Sequence, residues 1–268
     1  MTIMENSKKI YTLGSSTEEQ GRLISQGKLY DDAKYLKQFL SLQSNILEVG
    51  CGSGANLWVA NNVKHYTGVD ISEEQIQKSI LTADELGIKN ASFFETTPKK
   101  LPFSDDLFDF TFCRLVLIHQ VNPIIQLKEM KRVTSSGGRI VAIEPDVELY
   151  ASSNLSLMKF FQARSRLVYQ AGRGSIQVAR NLLNLFSNIG LKEIQLIKHE
   201  IELTDREPEK LKLFQKNMLM LAKSVQDELI RENYLTLEDC VKAEYEADLI
   251  AKDGWLRQVL YISNGIKI

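Results

Sequence analysis

Short apolar runs that stop at glycine or proline alternate along this chain with stretches in which apolar residues return every three or four positions. The runs read as buried strands and the periodic stretches as helices with one inward face. Strands are expected at 46–49, 66–70 and 91–95, from 110 into the next loop, at 139–146 after the turn Ser135-Ser-Gly-Gly, at 191–203, and from 255 to 263. Helices are expected from Ser16 or Thr17, from Asp31 or Asp32 to Leu40, directly after the glycines at 50–54, from Ser72, from 123 to 133, from Leu155, and from Val178 to Gly190. Leu211, Phe214, Met218 and Leu221 carry a helical pattern into 205–254. Strand and helix in regular succession make this an α/β chain around a parallel sheet. Two helical stretches, 147–176 and 205–253, interrupt that succession.

The stretch Asn45-Ile-Leu-Glu-Val-Gly-Cys-Gly-Ser-Gly-Ala-Asn56 carries the strongest chemical signal. At its glycines the backbone can turn tightly, and a ligand can reach main-chain atoms with no Cβ in the way. A phosphate-cradling loop needs a lysine directly behind its last glycine, and none follows before Lys64. The looser dinucleotide fingerprint is met by Gly50-x-Gly52-x-x-Ala55, with Asp70 at a distance suited to a ribose, so the glycines alone leave an NAD-dependent oxidoreductase open. Glu48 stands two residues before Gly50. A carboxylate there would repel a pyrophosphate and attract a cation or an ammonium group.

Read as acid-x-Gly-x-Gly-x-Gly, residues 48–54 resemble the first motif of the class I S-adenosylmethionine-dependent methyltransferases of the type 11/25-like, small-molecule group. Met130-Lys-Arg-Val-Thr-Ser-Ser-Gly-Gly138 resembles a second motif of that family, Arg-Val-Leu-x-Pro-Gly-Gly, in the right order. The resemblance implies a Rossmann-like sheet of seven strands, mostly parallel with the last antiparallel. Its core would comprise 43–146, 177–204 and 254–268, under a helical N-terminal lid at 1–42, with 147–176 and 205–253 as helical cap insertions. It also implies S-adenosyl-L-methionine as cofactor, S-adenosyl-L-homocysteine as product, and an N, O or C nucleophile on a small-molecule acceptor.

Carried over onto this chain, the cofactor-binding expectation falls on Glu48, Gly50, Cys51, Gly52, Gly54, Asp70, Ile71, Thr97, Pro98, Arg114, Leu115, Tyr11 and Arg22. Asp70 would accept two ribose hydroxyls or else cap the following helix, and Ile71 would wall the adenine. Tyr11 and Arg22 would close the lid or simply belong to a surface helix. The family's aspartate at the adenine edge is replaced by Thr97, and Pro98 behind it has no N–H. Either the Thr97 hydroxyl substitutes or the contact is lost, and the second case leaves a non-catalytic cofactor-binding regulator open. Arg114, Leu115 and His119 follow the fourth strand at its carboxyl end, where ligands of open α/β sheets sit. Arg114 would meet a carboxylate or the acceptor. His119 is a candidate catalytic base or a structural partner of its loop. Glu144 and Asp146 end the fifth strand, either facing the acceptor or capping the strand end.

Composition narrows the partners. A chain of 268 residues with 44% hydrophobic and 25% charged residues is globular in type. A net charge of −1 gives no general field for nucleic acid, so none is expected as partner. No run of about 18 apolar residues is present, and the first residues lack the apolar core of a signal peptide, so no membrane span or export is expected. Cys51, Cys113 and Cys240 are widely spaced and odd in number, which fits a reducing cytoplasm and predicts neither disulfide nor metal site. The apolar stripes of the inserted helices belong to a core or to the face of a homo-oligomer.

Overall fold

A computed structural model describes residues 29–97, 99–249 and 253–268. Tyr11, Arg22, Pro98 and the helix expected from Ser16 or Thr17 lie outside the described residues. The elements in chain order are α1 (Ala33–Lys37), β1 (Asn45–Val49), β2 (His65–Asp70), α2 (Glu73–Glu85), β3 (Ala91–Glu95), β4 (Phe108–Arg114) and α3 (Pro123–Val133). They continue as β5 (Thr134–Ser152), α4 (Leu155–Gln170), α5 (Leu182–Asn188), β6 (Lys192–Thr204), α6 (Pro208–Lys223), α7 (Gln226–Arg231), α8 (Leu237–Ala247) and β7 (Trp255–Ile266). Three 3₁₀ turns intervene, at Leu57–Asn62, Leu117–His119 and Ala179–Asn181.

The seven strands form one sheet in the order β3-β2-β1-β4-β5-β7-β6. β1 pairs in parallel with both β2 and β4, and β2–β3 and β4–β5 are parallel as well. β7 runs the other way: the Lys267 carbonyl accepts from Gly137 near the start of β5, and the Trp255 carbonyl accepts from Ser153 just past its end. This is the expected sheet, with the last strand antiparallel.

Backbone contacts group the described residues into two compact units, those within 31–145, 177–199 and 260–268 in one and those within 29–30, 146–176 and 200–259 in the other. In the first, β1 is buried on both faces, which is why its sequence reads as an unbroken apolar run apart from Glu48. Leu47 and Val49 join Cys113, Ile140 and Ala142 in a core closed by Leu127, Met130 and Val133 of α3 and by Leu182 and Phe186 of α5. In the second unit, helices α4, α6 and α8 pack on one another. Tyr30 packs on Phe214 and Tyr150 on Phe161, with ring centroids 5.6 and 5.0 Å apart. No helix among the described residues is long and apolar enough to cross a membrane.

Four sequence expectations are corrected. No α-helix follows the glycines; the Leu57–Asn62 segment is a 3₁₀ turn, since tryptophan, valine and paired asparagines there are poor helix formers. The helix expected from Asp31 to Leu40 spans only Ala33–Lys37; Asp31 takes a left-handed φ of 45°, and the Asp32 carboxylate pairs with Arg114 instead of capping the helix. β5 does not stop at Asp146 but runs on to Ser152, because β7 continues beside it. The helix expected over 178–190 is split into a 3₁₀ turn and α5.

Phe186 is fully buried in the α3–α5 core. Phe186→Ala is expected to lower the free energy of unfolding by about 3–5 kcal/mol, the cost of a large buried cavity, as measured by chemical denaturation.

Candidate cofactor site

Every described residue of the expected cofactor site lies in the first unit, around the carboxyl ends of β1, β2, β3 and β4. The glycine loop leaves β1 with Gly50 and Cys51 both donating to the Val69 carbonyl, at 2.7 and 3.0 Å. Gly52 then takes a φ of +54°, and its amide donates to Asp70 Oδ2 at 2.9 Å. A Cβ built on Gly52 would meet no atom within 4 Å, so this is where the loop borders open space. A ligand can approach the backbone there with no Cβ in the way.

Asp70 ends β2 with only 7% of its surface exposed. Its second oxygen, Oδ1, accepts from Ser72 N at 3.0 Å, while Ser72 itself caps α2 through Gln75 N. Asp70 is therefore not the helix cap. Burial raises its carboxyl pKa against the donors that hold it. Ile71 is half-buried beside it. The chain after β3 is tied to the same point, because Thr96 N donates to the Asp70 carbonyl at 2.8 Å, and Thr97 follows with an exposed side chain.

Glu48 is brought close to this loop but is directed inward, 1% exposed. Its Oε1 accepts from Asn56 Nδ2 at 2.6 Å, and its Oε2 accepts from the Tyr66 hydroxyl. Asn56 is the residue on which the glycine loop ends, so Glu48 acts on the loop from beneath. Burial pushes the Glu48 carboxyl up to about 7, opposed by Tyr66, Asn56 and the Arg114 guanidinium. Arg114, at the end of β4, donates from Nε to Asp32 Oδ2 at 2.7 Å, and both side chains are 5% exposed. The carboxylate that Arg114 meets is thus one of the protein's own.

Leu115 takes a φ of +59° and turns the chain into the Leu117–His119 turn. Glu144 does not face an acceptor: Val116, Leu117 and Ile118 all donate their amides to it, at 3.0, 2.7 and 3.2 Å. Burial lifts the Glu144 carboxyl to about 7 as well. Asp146, at the next outward step of β5, accepts from Glu148 N at 3.1 Å within the second unit. His119 ends its turn half-buried, its amide donating to Val116 O at 3.0 Å. His65 bonds Ser92 and His199 bonds Tyr35. Cys51, within the loop, has its thiol buried and its pKa raised by burial. Sequence reasoning missed Asp32, Asn56 and Tyr66; the polar Glu48 inside an apolar strand was the signal that buried partners must exist.

Residues 40–170 match the family described as "Methyltransferase domain". An uncharacterized methyltransferase of Bacillus subtilis, YcgJ, is 29% identical over 126 residues, covering 47% of this chain and 48% of that one. An uncharacterized methyltransferase of Schizosaccharomyces pombe is 33% identical over 125 residues, 42% of this chain and 44% of that one. The chain spans about half the length of these two curated relatives. The demethylmenaquinone methyltransferase of Lactococcus lactis is 26% identical over 217 residues, 73% of this chain and 85% of that one. The solved structure of YcgJ superposes with a TM-score of 0.59, covering 88% of this chain and 97% of that one at 19% identity, which speaks for the fold. Strand order and these matches place the chain in the Rossmann-like fold shared with methyltransferases. The match over residues 40–170, the curated methyltransferase relatives and the shared fold support a class I S-adenosylmethionine-dependent methyltransferase.

The two carboxyls lifted to about 7, Glu48 and Glu144, set a pH dependence. Between about pH 4.5, their ordinary value, and about 7, the folded chain keeps protons that the unfolded chain has released, so stability present at low pH is lost as pH rises through about 7. The thermal midpoint is expected to fall across that interval, and Glu48→Gln and Glu144→Gln are each expected to flatten the fall; a level midpoint in the unsubstituted protein contradicts this.

Proposed function

We propose that the chain transfers a methyl group from S-adenosyl-L-methionine to an N, O or C nucleophile on a small-molecule acceptor, releasing S-adenosyl-L-homocysteine. The observation that carries this reading is Gly52, left-handed and bordering open space, with its amide on a buried Asp70 carboxylate. That arrangement suits a ribose, because a carboxylate held by two backbone amides keeps acceptor capacity for two hydroxyls. When bound, the cofactor would supply an already activated methyl group on a sulfonium.

The chain's residues then orient and exclude water. Gly52 and Asp70 would hold the adenosine end, Ile71 would flank the base, and Leu115 and His119 would border the acceptor side. His119 is the proposed base, taking the proton that the nucleophile loses. Alignment and desolvation supply most of the rate in such a transfer, because charge disappears as the methyl moves.

The short 3₁₀ turn behind the glycines weakens the NAD alternative, since a pyrophosphate is favoured by the amides and dipole of a full α-helix. Among relatives, one is named a demethylmenaquinone methyltransferase and another a tRNA U34 carboxymethyltransferase. The near-neutral charge favours a small acceptor over RNA.

Calorimetry with S-adenosylmethionine and with NAD separates the two cofactors; heat with NAD alone overturns the proposal. If the cofactor binds yet no component of a broad metabolite extract gains a methyl group by mass spectrometry, the regulator reading replaces it. Asp70→Ala is expected to weaken S-adenosylhomocysteine binding by about 1–3 kcal/mol, the scale of lost charge-assisted hydrogen bonds. His119→Ala is expected to depress kcat while leaving that affinity unchanged; an equal loss of both assigns His119 to loop structure.

A further inference from the structure

β4 and β5 run side by side with Arg114 level with Ile143, so the next residue, Glu144, rises beside the chain as it leaves β4. Its side chain is fully buried. Oε1 accepts from Val116 N and Leu117 N, and Oε2 accepts from Ile118 N. Three successive amides converge on one carboxylate only when the backbone curls around it, and the left-handed Leu115 starts that curl. Val116, fixed in this way, rests on Gly50: a Cβ built there would lie 2.4 Å from Val116 Cγ2. On its other side the loop is tied by Gly50 and Cys51 to Val69 and by Gly52 to Asp70. The glycine loop is therefore seated between β2 and a valine whose position Glu144 sets.

We propose that Glu144 is a positioning residue that seats the glycine loop through Val116, so that the grip on an adenosine cofactor depends on a fully buried side chain that a bound cofactor would not touch. Gly50 is required at its position for the same reason, because its missing side chain is the space that Val116 occupies. The cofactor part of this inference rests on the function proposed above; the mechanical part, Glu144 to Val116 to Gly50, does not.

Hydrogen exchange on the full chain without ligand tests the mechanical part, and titration with S-adenosylhomocysteine tests the cofactor part. In Glu144→Ala, exchange is expected to speed by about tenfold or more both at the amides of 116–118 and at those of 50–54, with cofactor affinity falling by a similar factor. Val116→Ala keeps the Glu144 bonds but removes the contact with Gly50, so only 50–54 is expected to loosen, with the same loss of affinity. Glu144→Gln, whose Oε1 can keep the Val116 and Leu117 bonds, is expected to restore most of both, and it carries the test with Val116→Ala if Glu144→Ala fails to fold. Faster exchange at 116–118 with 50–54 and affinity unchanged overturns the proposal and leaves Glu144 a local support. If the unsubstituted protein binds no S-adenosylhomocysteine, the cofactor reading fails, and exchange at 50–54 alone decides the coupling.

Discussion

A carboxylate taken out of water must be given donors, and this requirement organises the carboxyl ends of the central strands. Glu48 on β1 and Glu144 on β5 are both buried, with Arg114 on the intervening β4 lowering the pKa of each. Neither is neutralised by a simple ion pair. Glu48 draws in Asn56 and Tyr66, and Glu144 draws in three amides of the loop after β4. Each thereby converts a flexible connection into a fixed one. Arg114 extends the same network to Asp32, 82 residues away in sequence, so the segment before β1 is fastened to the strand ends as well.

The strands and the glycine loop were legible in the sequence because both are local signals. β1 is an apolar run buried on two faces, and the loop must reverse direction within a few residues, which glycine allows. The length of β5 was not legible, because what keeps it extended past Asp146 is a neighbour more than a hundred residues later. The turn after Asn56 was misread as an α-helix since the usual sequence to follow a glycine loop is helical, whereas here the propensities are weak.

The site divided in the same way. Gly52 and Asp70 could be named from spacing, and the structure brings them within hydrogen-bonding distance. The partners of Glu48, Arg114 and Glu144 could not, because each comes from another strand or from a loop backbone, and backbone amides carry no sequence signature. Acids at strand ends invite assignment to substrate; here Glu144 is consumed by the protein's own main chain. The fold is shared with solved structures at 19% identity and below, and one such architecture serves many acceptors, so acceptor choice must come from side chains that the core does not dictate.

Cys51 sits inside the seated loop, with its thiol buried and its pKa raised, and the two other cysteines are buried as well. A soluble electrophile therefore meets little thiolate while the loop stays down. The rate at which Cys51 is alkylated would therefore report any opening of that loop, in the native chain and without adding a label site.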